Sequence, residues 1–223
     1  MGFQNDINKI LKTMHSKKGD QASEKGTYGE LAVLKVCEQF YIKQGGILAH
    51  SYKYKTDPSE PGNIKKDSSG KLYRENLGNF VEVDVILVTP YKIFPIEVKS
   101  YKAKKIVLTD EGISGCHSTD KSPVHQHEMH CRHLYSFLYR ALEQGDTDFI
   151  VPIVCFTDET RIEDQRSDWQ LDYILVTTID TLYDTIQEIN EPLDNQYKLN
   201  LQLVDNLLRE QMVSNSAYYP VKC

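Results

Sequence analysis

Residues 80–101 read FVEVDVILVTPYKIFPIEVKSY. Apolar residues alternate along both halves of this stretch, which is typical of β-strands. The halves are separated by Thr89–Lys92, and proline at the second position of that segment favours a turn. A four-residue turn pairs Val88 with Ile93, so the stretch predicts an antiparallel β-hairpin.

The same register places Asp84 opposite Glu97, with Lys99 pointing to the same side because side chains alternate along a strand. A shift by one residue would turn these charges into the core, so burial fixes the register to within an even number of residues. The opposite side is predicted to be a continuous apolar face made of Val81, Val83, Val85, Leu87, Phe94, Ile96 and Val98.

Two carboxylates at this separation repel each other unless a cation lies between them, and Mg²⁺ or Mn²⁺ is the usual solution in proteins. Lys99 then lies where it can orient or help deprotonate a water, or stabilise charge on a phosphate. The alternative is a solvated sheet face on which Glu82, Asp84, Glu97 and Lys99 form ordinary ion pairs, each worth less than about 1 kcal/mol.

The rest of the chain predicts a mixed α/β fold. A helix begins after Gly26 and ends at Gly45-Gly46, and Ser122-Pro123 opens another that runs to Glu143. Further strands are predicted at 47–54, 105–108, 149–156 and 173–177, and further helices at 3–14, 179–189 and 199–212. Residues 57–79 are rich in Pro, Gly, Ser and Lys and are predicted to be a long loop insertion.

Composition narrows the function classes. The 223 residues carry a net charge of −6, which excludes a protein that coats nucleic acid through overall positive charge. The acidity is concentrated in residues 143–194, which contain fourteen acidic residues and only two arginines. This region is therefore a candidate surface for a homodimer or protein partner. Five scattered cysteines and the lack of a long apolar run predict a cytoplasmic protein without a membrane segment.

Four sequence motifs, in this order, resemble the nuclease-related domain family, NERD, a branch of the PD-(D/E)xK nuclease superfamily. They are Gly29-Glu30 at a helix start, VDVILVTP at residues 83–90, IEVK at residues 96–99, and SPVHQ at residues 122–126 opening a helix. The resemblance covers about residues 26–160. It implies a restriction-endonuclease-like core in which a helix, a three-stranded antiparallel meander, a second helix and further strands follow one another, with extra helices at both ends.

The resulting domain prediction is an N-terminal helix at 1–22, a NERD-like nuclease domain at 23–190, and a C-terminal helix and tail at 191–223. The resemblance also implies roles for individual residues. Asp84 and Glu97 match the metal-binding acids, and Lys99 matches the catalytic lysine. Glu30 matches the helical acid that often completes the site, and Gln126 matches the polar residue on the crossing helix.

Helical spacing also supports a site role for Glu30. This residue begins a helical stripe that is predicted to pack on the sheet and otherwise contains Val33, Leu34, Cys37 and Tyr41. The alternative for Glu30 is a first-turn acid that complements the helix dipole. For Gln126 the alternative is a capping or exposed glutamine.

Five of the seven histidines fall between residues 117 and 133. Two pairs have spacings that could ligate Zn²⁺: His127 with Cys131, and His130 with His133. A protonatable polar face near bound phosphate is favoured over zinc. The apolar stripe of Cys131, Leu134, Leu138 and Leu142 predicts that Cys131 belongs to the core.

Lys102, Lys104 and Lys105 continue the basic run that starts at Lys99 and are the predicted contacts to a nucleic-acid backbone. A solvated strand edge is the alternative. The sequence therefore favours a Mg²⁺- or Mn²⁺-dependent nuclease, with DNA preferred over RNA. The competing hypotheses are a non-catalytic nucleic-acid-binding module with the same fold and a zinc-stabilised interaction protein.

Overall fold

The computed structural model describes residues 21–55, 64–66, 72–74, 80–101, 103–115, 122–139, 149–157, 161–167, 173–191, 198–215 and 217–221. The helices in this part are α1 (Gln21–Gln44), α2 (Pro123–Leu138), α3 (Leu182–Ile189) and α4 (Leu201–Gln211). The strands are β1 (Ile47–Lys55), β2 (Ile64–Lys66), β3 (Leu72–Arg74), β4 (Phe80–Val88), β5 (Ile93–Lys99), β6 (Lys105–Thr109), β7 (Gly112–Ser114), β8 (Ile153–Phe156), β9 (Arg161–Asp164), β10 (Leu175–Thr178), β11 (Met212–Ser214) and β12 (Ala217–Tyr219). The predicted helix at residues 1–22 lies almost entirely outside the described residues.

The predicted hairpin forms β4 and β5, and its register is confirmed. Val88 pairs with Ile93 and Leu87 with Phe94 in an antiparallel ladder. The side chain of Thr89 closes the turn, because its Oγ1 accepts a hydrogen bond of 3.0 Å from the backbone N–H of Lys92. β1 pairs antiparallel with β4 and completes a three-stranded meander.

The main sheet has the strand order β10-β8-β5-β4-β1-β11, and β12 also pairs with β1. β8 runs parallel to both β5 and β10. The strands β11 and β12 come from the C-terminal segment that was predicted as a helix and tail. This segment therefore extends the same sheet, and Tyr52 of β1 donates a hydrogen bond of 2.5 Å from its hydroxyl to the carbonyl of Leu208 in α4.

Helices cover both faces of the sheet. On one face, α1 and α3 pack against Val85, Leu87, Phe94 and Ile96. On the other face, α2 and α4 pack against Ile86, Val88 and Ile93. This arrangement confirms the predicted mixed α/β class, with a core meander enclosed between helices.

One detail of the predicted apolar face is wrong. Val81 and Val83 pack in the α2 and α4 cluster rather than with Val85 on the α1 side. The faces exchange near Asp84, where the neighbouring strand β1 contains Ser51 with a left-handed φ of 47°. A residue in that region turns the strand, so side chains on either side of it no longer alternate regularly.

Two predictions about connecting segments also change. β6 was predicted to follow the hairpin, and it does form a strand, but it pairs with β7 and β9 in a separate three-stranded sheet. The predicted loop insertion at 57–79 contains the short antiparallel pair β2 and β3. The remaining residues of that insertion lie outside the described part of the chain.

None of the helices in the described part of the chain is long and apolar enough to cross a bilayer.

Candidate active site

The site lies where the paired strands β4 and β5 separate. Their backbone pairing extends from the turn as far as Val85 and Ile96. One residue further along, the backbone N–H of Val98 donates a hydrogen bond of 2.7 Å to Oδ2 of Asp84. The carboxylate of Asp84 thus takes the place of a backbone acceptor, and this fixes it beside the end of β5.

Glu97 and Lys99 form the centre of the cluster. The carboxylate of Glu97 is buried, with 3% of the residue exposed, and its Oε1 lies 2.6 Å from Nζ of Lys99. Nζ of Lys99 also lies 3.5 Å from Oε1 of Gln126, at the limit of a hydrogen bond. Gln126 is exposed in the first turn of α2. Two strands and one helix therefore bring these predicted residues together at a partly open edge.

Asp84 carries the strongest electrostatic signature of the cluster. Burial, together with the carboxylates of Glu97 and Glu30, raises its pKa to about 8 against the opposing effects of the Val98 N–H and Lys99. The carboxyl group therefore holds a proton at neutral pH when no cation is bound. A hard divalent cation beside Asp84 and Glu97 would replace such a proton and remove the repulsion between the carboxylates.

Lys99 is a cation in this environment. Burial alone would lower its pKa, but the ion pair with Glu97 and the proximity of Asp84 outweigh burial, and the pKa of Lys99 is raised. A lysine that keeps its proton stabilises negative charge on a bound group and does not act as a general base.

Glu30 reaches this region because α1, which begins at Gln21 and not after Gly26 as predicted, passes close to the end of β8 at Gly29. A Cβ on Gly29 would lie 2.6 Å from Oγ1 of Thr157, so glycine permits this approach. The backbone N–H of Thr157 in turn donates a hydrogen bond of 3.0 Å to the carbonyl of Lys99. These contacts hold Glu30, the tenth residue of α1, beside the end of β5.

His50 is a site residue that the sequence analysis missed. Its Nε2 lies 2.9 Å from Oε2 of Glu30, and its side chain is buried in β1. A histidine within the otherwise apolar start of a strand, ILAH at residues 47–50, was the available signal. Its partner was not visible in the sequence because Glu30 lies on α1, and the packing of this helix against β1 depends on the tertiary structure.

His127 and His130 lie on the α2 side of Glu97, with their Nδ1 atoms 3.9 Å and 3.8 Å from its Oε2. Burial lowers the pKa of both histidines to about 4. They are neutral at physiological pH, so the predicted protonatable face does not hold for these two residues. Cys131 lies in the core as predicted, and burial raises the pKa of its thiol well above 9.

Residues 25–157 match the family model of the nuclease-related domain, NERD. The chain belongs to the NERD family. The match spans more than half of the chain and contains Glu30, Asp84, Glu97, Lys99 and Gln126. None of the curated proteins and none of the solved structures compared with it matches the chain.

The predicted backbone-binding lysines of this NERD domain have different surroundings. Lys104 is exposed, whereas Nζ of Lys105 lies 2.5 Å from Oε2 of Glu163 in β9. The acidic region at 143–194 thus supplies a carboxylate that offsets part of the basic run. Lys102 lies outside the described residues.

The raised pKa of Asp84 predicts how stability depends on pH. Because the folded-state pKa is near 8 and the ordinary value is 3.8, the folded state holds a proton that the unfolded state lacks between these limits. The free energy of unfolding therefore falls as the pH rises through this window. Asp84→Asn mimics the protonated group, so in EDTA its melting temperature should exceed that of the unmodified protein most above pH 8 and least near pH 4.

The matched control for this measurement is Glu82→Gln, because Glu82 is exposed on the same strand and pairs with Lys53 at 3.1 Å. Its difference in melting temperature should not grow with pH. A melting-temperature difference for Asp84→Asn that is constant from pH 4 to pH 9 would contradict the proposed burial of a repelled carboxyl group.

Proposed function

We propose that this NERD domain is a nuclease that hydrolyses phosphodiester bonds with Mg²⁺ or Mn²⁺, with DNA preferred over RNA. The observation that carries the proposal is the convergence of Asp84, Glu97 and Lys99 at the open end of the meander. The family match supports a nuclease-related role. The chemistry of the two acids and the lysine further favours hydrolysis that depends on a metal ion.

Asp84 and Glu97 would hold the metal ion, and Glu30 would bind a second ion or its water ligands. When bound, such an ion polarises a phosphoryl oxygen and lowers the pKa of a water ligand. Glu97 is buried and Asp84 and Glu30 are partly buried, and electrostatic interactions in such surroundings are stronger than in bulk water.

Lys99 would stabilise the charge that grows on the phosphate during attack, since its ammonium group is already held in place by Glu97 at 2.6 Å. The amide of Gln126 accepts from Lys99 and offers two N–H donors of its own. We infer that it positions the phosphate or the attacking water at the exposed mouth of the site.

Access for the substrate would come from the edge formed by α2 and the segment after β5. The exposed side of Gln126 and the basic residue Lys104 lie on these segments. Binding should be local and should weaken with salt, because few phosphate contacts are available on a chain whose net charge is −6. A homodimer or protein partner at residues 143–194 and a cytoplasmic location stay predictions.

The direct test is metal-dependent cleavage by the unmodified protein. Supercoiled plasmid, linear duplex DNA, single-stranded DNA and RNA are each incubated with EDTA, Mg²⁺ or Mn²⁺. Cleavage of DNA that requires a divalent ion is the expected result. Salt-sensitive binding without cleavage under all metal conditions would contradict the enzyme and favour the non-catalytic binding module.

A further inference from the structure

We propose that Glu97, His127 and His130 form a metal site, distinct from the proposed Mg²⁺ or Mn²⁺ site, that takes a borderline divalent transition metal, Zn²⁺ in the first place. The site uses the oxygen of Glu97 that faces α2, whereas the other oxygen faces Lys99. This inference holds whether or not the protein cleaves nucleic acid.

The possible donor atoms of the three residues lie close together. One donor atom from each of the three residues falls within a group whose members all lie within 4.8 Å of one another. Nδ1 of His127 and Nδ1 of His130 lie 3.9 Å and 3.8 Å from Oε2 of Glu97. Tetrahedral Zn²⁺ holds neighbouring nitrogen and oxygen donors roughly 3.3 Å apart, given bonds of about 2.0 Å. Each of the two histidine nitrogens therefore needs to approach the Glu97 oxygen by about half an ångström when the ion binds.

The tautomer of His127 follows from its hydrogen bond. Its Nε2 lies 2.9 Å from the carbonyl oxygen of Pro95, which can only accept a hydrogen bond, so Nε2 carries the proton. Nδ1 consequently presents an unshared electron pair towards Glu97. A metal-bound histidine usually donates its other ring N–H to a carbonyl in this way, which fixes the orientation of the ring.

The Nδ1 atoms of the two histidines have no hydrogen-bond partner among the described residues. Nδ1 of His127 and Nδ1 of His130 are both buried. His127 is completely buried. A buried electron pair that faces a buried carboxylate oxygen is unfavourable, because both atoms are electron-rich and neither reaches water. A cation between them removes this cost.

The donor set selects the type of ion. Two imidazole nitrogens and one carboxylate oxygen favour Zn²⁺, Co²⁺ or Ni²⁺ over Mg²⁺, which prefers oxygen ligands. Cys131 does not belong to this set. Its Sγ lies 3.5 Å from Nε2 of His127, the nitrogen that is committed to Pro95. The pairs that the sequence suggested for zinc are therefore replaced by a pair of histidines three residues apart, together with Glu97.

The test is titration of the metal-stripped full chain with Co²⁺, whose visible absorption reports nitrogen ligands, followed by displacement with Zn²⁺. The unmodified protein should bind Co²⁺ with this absorption, and Zn²⁺ should abolish it. His130→Ala and His127→Gln should weaken binding by about 100-fold or more, because each removes a ligand. His130 is the less buried of the two histidines, so its replacement disturbs the core less. Circular dichroism of both variants checks that they fold.

Two controls locate the ion. His125→Ala removes a histidine of the same helix that is not part of the group, and it should bind Co²⁺ as the unmodified protein does. Asp84→Asn changes the oxygen-rich site and should also keep the Co²⁺ absorption, even if it cleaves no substrate. The proposal is overturned if the unmodified protein shows no such absorption, if folded His130→Ala binds Co²⁺ unchanged, or if Asp84→Asn abolishes the absorption.

Discussion

Replacing Lys99 or Asp84 with alanine is expected to reduce metal-dependent cleavage by roughly 100-fold or more. Within the described residues, the Lys99 variant loses the only cation within 3 Å of Glu97, and with it the charge that is proposed to stabilise the transition state. Asp84 loses the carboxylate that is fixed by the Val98 N–H at 2.7 Å. The measurement is the initial rate of plasmid cleavage at saturating Mn²⁺.

Lys53→Ala and Glu82→Gln are the matched controls for these variants. The two residues form an ion pair of 3.1 Å across β1 and β4, and their side chains are 45% and 41% exposed. Their removal changes charge by the same amount in the same sheet but should leave the cleavage rate within about twofold, because exposed pairs contribute little. Equal cleavage by the two sets of variants would remove Asp84 and Lys99 from the active site.

The second large effect is expected at the turn between α1 and β1. Gly46 has a φ of 111°, and a Cβ there would lie 1.9 Å from the backbone oxygen of Val88. Neither atom can move easily, because Ile47 pairs directly with Val88. Gly46→Ala should therefore lower the free energy of unfolding by about 3 kcal/mol or more, through strain and displaced pairing.

Gly45→Ala is the comparison. Gly45 also has a positive φ, 77°, but a Cβ there meets nothing within 4 Å. Only the conformational cost remains, about 1 kcal/mol. Thermal unfolding should then show a fall of about 10 °C for Gly46→Ala and about 3 °C for Gly45→Ala. Similar melting temperatures for the two variants would contradict the close approach of α1 to the end of β4.

The hairpin shows which part of the site could be predicted from sequence. Its turn and its alternation fixed the pairing of Val88 with Ile93, because both signals are local. The same locality explains the helical stripe of Val33, Leu34 and Cys37, which is fully buried as expected. The prediction that placed Asp84 near Glu97 needed no knowledge of any other strand.

The contacts that were missed depend on distant segments. His50 meets Glu30 only because α1 packs against the sheet that contains β1, and no local pattern in the sequence encodes that packing. The exchange of faces at Asp84 lies beside Ser51 of β1, whose positive φ is rare for residues other than glycine. β6 pairs with β9, fifty-six residues away at Lys105 and Arg161, so its sheet could not be assigned from periodicity alone.

The net charge of the whole chain differs from the charge near the candidate site. The net charge of −6 describes the whole chain, whereas Lys99 lies beside Glu97 in the candidate site and Lys104 is exposed on the segment after β5. The ion pair between Lys105 and Glu163 shows that part of the acidic region acts directly on the basic run. Nucleic-acid binding should consequently depend on a small number of local contacts and not on the overall charge.

Asp84 and Glu97 are proposed to hold a divalent metal ion. The most direct test is anomalous scattering from crystals soaked in millimolar Mn²⁺. The account predicts a manganese peak between the carboxylates of Asp84 and Glu97, and the loss of that peak in Asp84→Asn crystals. A map with no peak within coordination distance of Asp84 would contradict it.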